Sequence, residues 1–119
     1  MPQADRDLVV TIGRHPSGPG LLTVAGDLDY HTAGRLRVAL DEVPLDQAAG
    51  VIIDLSGLTY CDSTGVSVLV TAYRRARDAG RPLALVGLNP DLTRVFRVIG
   101  LDQVFATYGD VEAAVKAIG

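Results

Sequence analysis

Residues 58–65 read Leu-Thr-Tyr-Cys-Asp-Ser-Thr-Gly and set a thiol, a carboxylate and two hydroxyls on consecutive positions from Cys61 to Thr64. Polar groups where a strand gives way to a helix lie beside unpaired backbone N–H groups and the positive end of the helix dipole, so such a junction tolerates an anion or a phosphate ester. Asp62, Ser63 or Thr64 can each serve as the N-cap of the helix that follows. One cap is sufficient, and three candidates in succession leave a surplus. Gly65 adds to it, because glycine inside a helix costs about 0.5–1 kcal/mol relative to alanine. A missing side chain there is expected to let another molecule approach the backbone and the Ser63 hydroxyl closely.

Other chemistry finds less support in the chain. A serine hydrolase needs a Gly-x-Ser-x-Gly elbow and an oriented histidine. Ser63 lacks the flanking glycines, and the two histidines, His15 and His31, read as ordinary surface residues. The string Asp62-Ser63-Thr64-Gly65 differs from the Asp-Ser/Thr-Gly signature of aspartic proteases by one inserted residue, and no second copy exists. Cys61 near a helix start is a candidate nucleophile or redox sensor, set against the role of a small buried apolar side chain. Asp27 and Asp29, two acids separated by one residue, fall short of the oxygen shell that a cation requires. They read as turn, cap and partner-contact residues. No Gly-rich phosphate loop is present, so neither a nucleotide site nor any other cofactor is expected, and the chain reads as no enzyme.

The elements that must position this junction follow from the spacing of apolar residues. Leu8–Ile12 and Leu21–Ala25 are strand-like and flank a segment rich in turn formers, which predicts an antiparallel hairpin. Ala33, Leu36, Leu40 and Val43 recur near the helical period, with Thr32 as a candidate N-cap and Pro44 as the stop. Val51–Leu55 is an apolar run with one acid, the pattern of a central strand covered on both faces, followed by a turn around Ser56 and Gly57. Val66, Leu69, Val70 and Tyr73 mark the clearest helix, ended by Gly80, and Pro82–Val86 returns as a buried strand. Leu92, Val95, Phe96 and Ile99 predict a third helix, and Val111, Ala114, Val115 and Ile118 a fourth. Between these two, Gln103–Ala106 is expected as a short edge strand. The fold class is therefore α/β: one domain spanning residues 1–119, with a core of about 8–118. It has a mixed, mostly parallel sheet of about five strands and about four helices.

Bulk properties narrow the class of partner. The 119 residues are 48% hydrophobic, 21% charged and 5% aromatic, without tryptophan, which suits an aliphatic globular core. A formal net charge of -3 and the lack of a basic stripe argue against direct nucleic-acid binding. No apolar run approaches the length of a bilayer crossing, and the start from Met1 to Asp7 lacks the layout of a signal peptide. A single cysteine fits a reducing compartment and offers no multi-thiolate metal site. A cytoplasmic protein without a membrane partner or structural metal is expected.

The string Asp62-Ser63-Thr64-Gly65 ahead of an apolar helix resembles the phosphorylation motif of the STAS family, specifically of the anti-sigma factor antagonists. Ala25-Gly26-Asp27-Leu28-Asp29 resembles that family's Gly-acid-Leu-Asp element, and Leu92–Leu101 its late helix and Gly-Leu turn. The resemblance runs in order from about Leu8 to near the C-terminus. It implies a protein that binds an anti-sigma factor when unphosphorylated and so releases a sigma factor. The partner is then an anti-sigma factor with serine kinase activity that modifies Ser63, and a metal-dependent serine/threonine phosphatase resets the switch. ATP and metal belong to those partners. The expected contact surface comprises Asp27, Asp29, Asp62, Ser63, Thr64, Gly65 and Ser67. The alternative on the same fold is a STAS-type binding or scaffold module of a stress-sensing or lipid-trafficking assembly.

Overall fold

The computed structural model describes residues 7–44 and 48–118; residues 1–6, which carry most of the reading of the chain's start, lie outside the described residues, as do 45–47 and 119. The β-branched run near the start forms β1 (Leu8–Arg14), and β2 (Gly20–Leu28) returns antiparallel with Thr11 opposite Thr23. The chain continues through α1 (Ala33–Asp41), β3 (Val51–Cys61), α2 (Ser63–Asp78), β4 (Leu83–Val86), α3 (Pro90–Val98), β5 (Ala106–Tyr108) and α4 (Val111–Ile118). The five strands lie side by side in sequence order, and every pair after β1–β2 is parallel.

That order dictates where the helices go. Each β-α-β connection is a right-handed crossover stepping to the next strand in the same direction, so α1, α2 and α3 fall on one face of the sheet. The alternation of side chains agrees. Leu22 and Val24 of β2, Ile53 and Leu55 of β3 and Leu85 of β4 join Leu36, Leu69, Leu92 and Phe96 in one core cluster. Ile52, Ala84 and Val86 point the other way and meet Ala114 of α4, which is no crossover and takes the opposite face. Burying each large aliphatic side chain contributes roughly 1.5–3 kcal/mol, so the double-sided β3 is the most strongly anchored strand. Phe105 closes the far side of the main cluster, with ring centroids 5.6 Å from Phe96 and 5.5 Å from Tyr73.

Three expectations are corrected. The predicted turn around Ser56 and Gly57 is absent, and β3 runs on to Cys61 through two register shifts against β2. These shifts are bulges that bend the strand without ending it. Gly57 is required there because a Cβ would stand 2.9 Å from the Ala25 Cβ. The short edge strand falls at Ala106–Tyr108 instead of Gln103–Ala106, since Leu101–Gln103 form a single 3-10 turn after Gly100 takes a φ of 83°. His15, expected as an ordinary surface residue, has a side chain only 16% exposed. Its Nδ1 accepts from the Ser17 N–H at 3.1 Å, and its Nε2 lies 2.9 Å from Glu112 Oε2, so the ring staples the hairpin loop to α4.

Gly26 has a φ of 105°, and a Cβ there would run into the Asp7 carbonyl oxygen. Gly26→Ala should therefore lose about 1–3 kcal/mol through backbone strain. Thermal unfolding checks this, with a drop in Tm of about 4 °C per kcal/mol expected for a domain of this size.

Candidate functional site

β2 and β3 end side by side, with Leu28 registered against Cys61 and the Asp62 N–H donating to the Leu28 carbonyl at 3.1 Å. Asp62 then turns its side chain back over both segments. Its Oδ1 accepts from the Gly65 N–H at 3.0 Å, which makes Asp62 the N-cap of α2, and its Oδ2 accepts from the Tyr30 N–H at 3.1 Å. One carboxylate thus joins the turn before α1 to the start of α2. Of the three candidate caps Asp62 takes the role, and Ser63 is left as the exposed first residue of α2. Thr64 is half-buried. The Ser67 hydroxyl donates to the Ser63 carbonyl at 3.0 Å, and Thr71 repeats the bond to Ser67, so the outer face of α2 beyond Ser63 carries hydroxyls and no charge for two turns.

Gly65 does a different job from the one expected of it. It faces inward, where a Cβ would stand 2.7 Å from Leu28 Cγ and 2.8 Å from Cys61 Sγ. The glycine lets α2 close onto the strand ends; it does not open the backbone to a visitor. Thr32 is likewise corrected as the cap of α1, because its hydroxyl makes no capping bond to that helix. It donates instead to the Asp27 carbonyl at 2.7 Å and accepts from the Asp29 N–H. The N–H groups of His31 and Thr32 are taken by Asp29 Oδ1 at 2.9 and 3.1 Å.

The predicted contact residues therefore separate. Asp27, Asp62, Ser63, Thr64 and Ser67 gather at one end of the sheet, where the Asp27 carboxylate accepts from the Thr59 hydroxyl at 2.7 Å. Asp29 lies beneath them at 3% exposure, its carboxylate committed to the turn, and Gly65 is covered. Sequence reasoning missed Tyr30, which is 76% exposed with its N–H on Asp62, and Tyr60, 48% exposed and registered against Asp27 near the end of β3. Large aromatic side chains two residues past a strand and immediately before the Cys-Asp-Ser string were the available signal. Behind Tyr60 lies a cleft of about 160 Å³ between the end of β3 and α3, lined by Leu58, Cys61, Asn89, Leu92 and Val95 among others. Asn89 shapes it by capping α3 through the Leu92 N–H at 2.7 Å.

Burial, and secondarily the Asp62 charge, push the Cys61 thiol up to about 12. The side chain is therefore a protonated, apolar filler, as its packing against the core cluster also indicates. Among the described residues no three or more His, Cys, Asp or Glu side chains come together as a metal site, and no helix is long and apolar enough to cross a membrane.

Comparison with known proteins decides the family. The family model described as "Mlab, STAS domain" matches residues 13–107. The chain belongs to the STAS domain family. The anti-sigma-B factor antagonist of Listeria monocytogenes is 36% identical to this STAS domain over 81 residues, covering 68% of this chain and 71% of that one. The anti-sigma-F factor antagonist RsfB of Mycobacterium tuberculosis is 25% identical over 115 residues, covering 97% and 93%. A crystal structure of an anti-sigma factor antagonist from Mycobacterium paratuberculosis superposes with a TM-score of 0.84 at 26% identity, covering 94% of each chain.

Two outcomes follow from the packing at the junction. Gly65→Ala should destabilise the STAS domain by about 1–3 kcal/mol through overpacking, measured by denaturant unfolding. Cys61 should resist alkylation by iodoacetamide at pH 8 and react fast once unfolded. An unfolded thiol releases its proton from about pH 9 while the folded one holds it to about 12, so this group also lowers stability as pH rises past 9.

Proposed function

We propose that this STAS domain is an anti-sigma factor antagonist. Unphosphorylated, it binds an anti-sigma factor that is also an ATP-dependent serine kinase, and a sigma factor is released. Phosphorylation of Ser63 switches it off, and a metal-dependent serine/threonine phosphatase restores it. The named activities of its relatives support the antagonist reading. The observation that carries the phosphoswitch is the division of labour at the junction: Asp62 caps α2, so the exposed Ser63 hydroxyl owes nothing to the helix.

The physical effect of a phosphoryl group there supports the same reading. It adds about -1.5 to -2 charge at neutral pH. The start of α2 favours that charge, whereas Asp62 and Asp27 already make the patch acidic. The domain therefore keeps its fold, and the cost falls on a partner that has to desolvate a dianion against its own surface. Each 1.4 kcal/mol of that cost is about a tenfold loss of affinity. The chain acts by binding in the cytoplasm and catalyses nothing itself. Cys61 stays protonated, and His15 is stapled at the hairpin end of the sheet, far from Ser63 in the topology.

Kinase plus ATP should add one phosphoryl group, located at Ser63 and not Thr64 by mass spectrometry. Ser63→Ala should fold and bind the anti-sigma factor permanently, because Asp62 keeps the cap. Ser63→Glu should fold yet bind at least tenfold more weakly in calorimetry. Asp27→Lys should weaken binding, whereas reversal at Arg97 or Lys116 should leave it nearly unchanged. Phosphate at Thr64, or full affinity of the phosphorylated protein, would overturn the mechanism. ATPase or esterase turnover lost on Ser63 or Cys61 substitution would overturn the non-catalytic reading.

A further inference from the structure

β1 is a border strand, and its hydrogen bonds divide its backbone into two sets. The Asp7 carbonyl accepts from the Asp27 N–H at 3.0 Å and the Pro19 carbonyl from the His15 N–H at 2.9 Å. In the register that sets Thr11 opposite Thr23, these bonds assign residues 7, 9, 11, 13 and 15 to β2. Leu8, Val10, Ile12 and Arg14 therefore turn their N–H and C=O groups outward. Leu8 is already satisfied: its N–H donates to Asp7 Oδ1 at 2.9 Å, and its carbonyl accepts from the Arg35 guanidinium at 2.8 Å. Arg35 also pairs with Asp7, and with the Leu8 N–H it holds that carboxyl below its ordinary value, so the cap persists into acid. Val10, Ile12 and Arg14 have no comparable cap among the described residues.

Border strands are normally protected by shortness, proline, lysine or a bulge. The opposite border, β5, is only three residues long. β1 has seven residues, contains neither proline nor lysine, and pairs with β2 without a register shift. Val9 is 60% and Ile12 42% exposed on it.

We propose that this open edge is a homotypic docking surface, on which a second copy pairs antiparallel with Ile12 facing Ile12 across a twofold axis. The pattern of open groups is self-complementary about Ile12. Val10 then faces Arg14, and the three open N–H groups of each copy meet three open carbonyls of the other, giving six hydrogen bonds. The ladder stops where both partners run out together: the next pair sets capped Leu8 against Pro16, which has no N–H. On the other face Gly13 comes opposite Thr11, so no bulk opposes the approach. Charge also fits. The axis is apolar, and the two Arg14 side chains lie at opposite ends of the joint, so their like charges are kept apart. The joint sheet places the two Ser63 ends at opposite poles, so pairing leaves both of them accessible.

Sedimentation velocity across a concentration series, with amide exchange on the same samples, tests the proposal. A concentration-dependent dimer is expected, in which the Val10, Ile12 and Arg14 amides slow as dimer accumulates while the Leu8 amide, held by Asp7, does not change. Ile12→Pro removes an outward N–H and leaves the β2 ladder intact, so it should weaken dimerisation at least tenfold while thermal unfolding stays close to that of wild type. Should this variant fold poorly, Ile12→Lys and the wild-type exchange pattern carry the test. A monomer up to about 1 mM would overturn the proposal. So would a dimer untouched by Ile12→Pro, or protection of these amides that does not vary with concentration.

Discussion

The Asp62 carboxylate accepts one backbone N–H from the turn before α1 and one from the first turn of α2, and so clamps together two segments remote in the chain. Hydrogen bonds to a charged group contribute about 1.5–3 kcal/mol each, more than neutral ones, because the acceptor carries full charge. The clamp works only because the elements approach closely. Gly65 has no side chain to hold α2 away from Leu28 and Cys61. A backbone carbonyl could not replace the carboxylate, since two acceptors aimed in different directions are needed from one residue. The exposed Ser63 hydroxyl is a by-product of this arrangement: the cap lies one residue earlier, and the serine is the first side chain of the helix to point outward.

Topology supplies the rest of the setting. Because the strands follow one another in sequence order, all three crossover helices share one face, and the C-terminal ends of the parallel strands share one edge. The ends of β2 and β3, the start of α2 and the start of α3 therefore meet at that edge. The same ordering leaves the opposite face to α4 alone, which packs against β3, β4 and β5. β1 is left at the border of the sheet, and among the described residues only the outward groups of its first residue are capped, by Asp7 and Arg35.

Electrostatics at the junction is finely divided between opposing terms. The helix start and its unpaired N–H groups draw negative charge, and Asp62 already supplies some of it. A further anion on Ser63 meets both influences within a few ångströms, so its internal effect is small compared with its effect on a surface brought against it. Desolvation in the same neighbourhood acts in the other direction on Cys61, where the ionised form is suppressed. Residues two positions apart, Cys61 ending β3 and Ser63 opening α2, thus differ in character because one side chain faces Leu28 and Gly65 and the other faces water.

Much of this was legible in the amino-acid order. The four helices, the hairpin, the central position of β3 and the special status of Asp62-Ser63-Thr64-Gly65 follow from apolar periodicity and from the types of residue that begin and end elements, which are local properties. What local pattern leaves open is set by contacts between remote segments. Ser56-Gly57 reads as a turn until Ala25 of the neighbouring strand shows that a glycine is needed for a bulge. Gly65 reads as an opening until Leu28 and Cys61 are seen to fill its space, and Thr32 reads as a cap until Asp29 takes the N–H groups. The sequence by itself determined which elements form and which residues crowd the junction, because propensity and periodicity act over a few residues. Only the tertiary structure decided which of three adjacent polar side chains caps, which is half-buried and which faces solvent, because that depends on Tyr30 and Leu28, brought alongside by strand pairing across more than thirty residues.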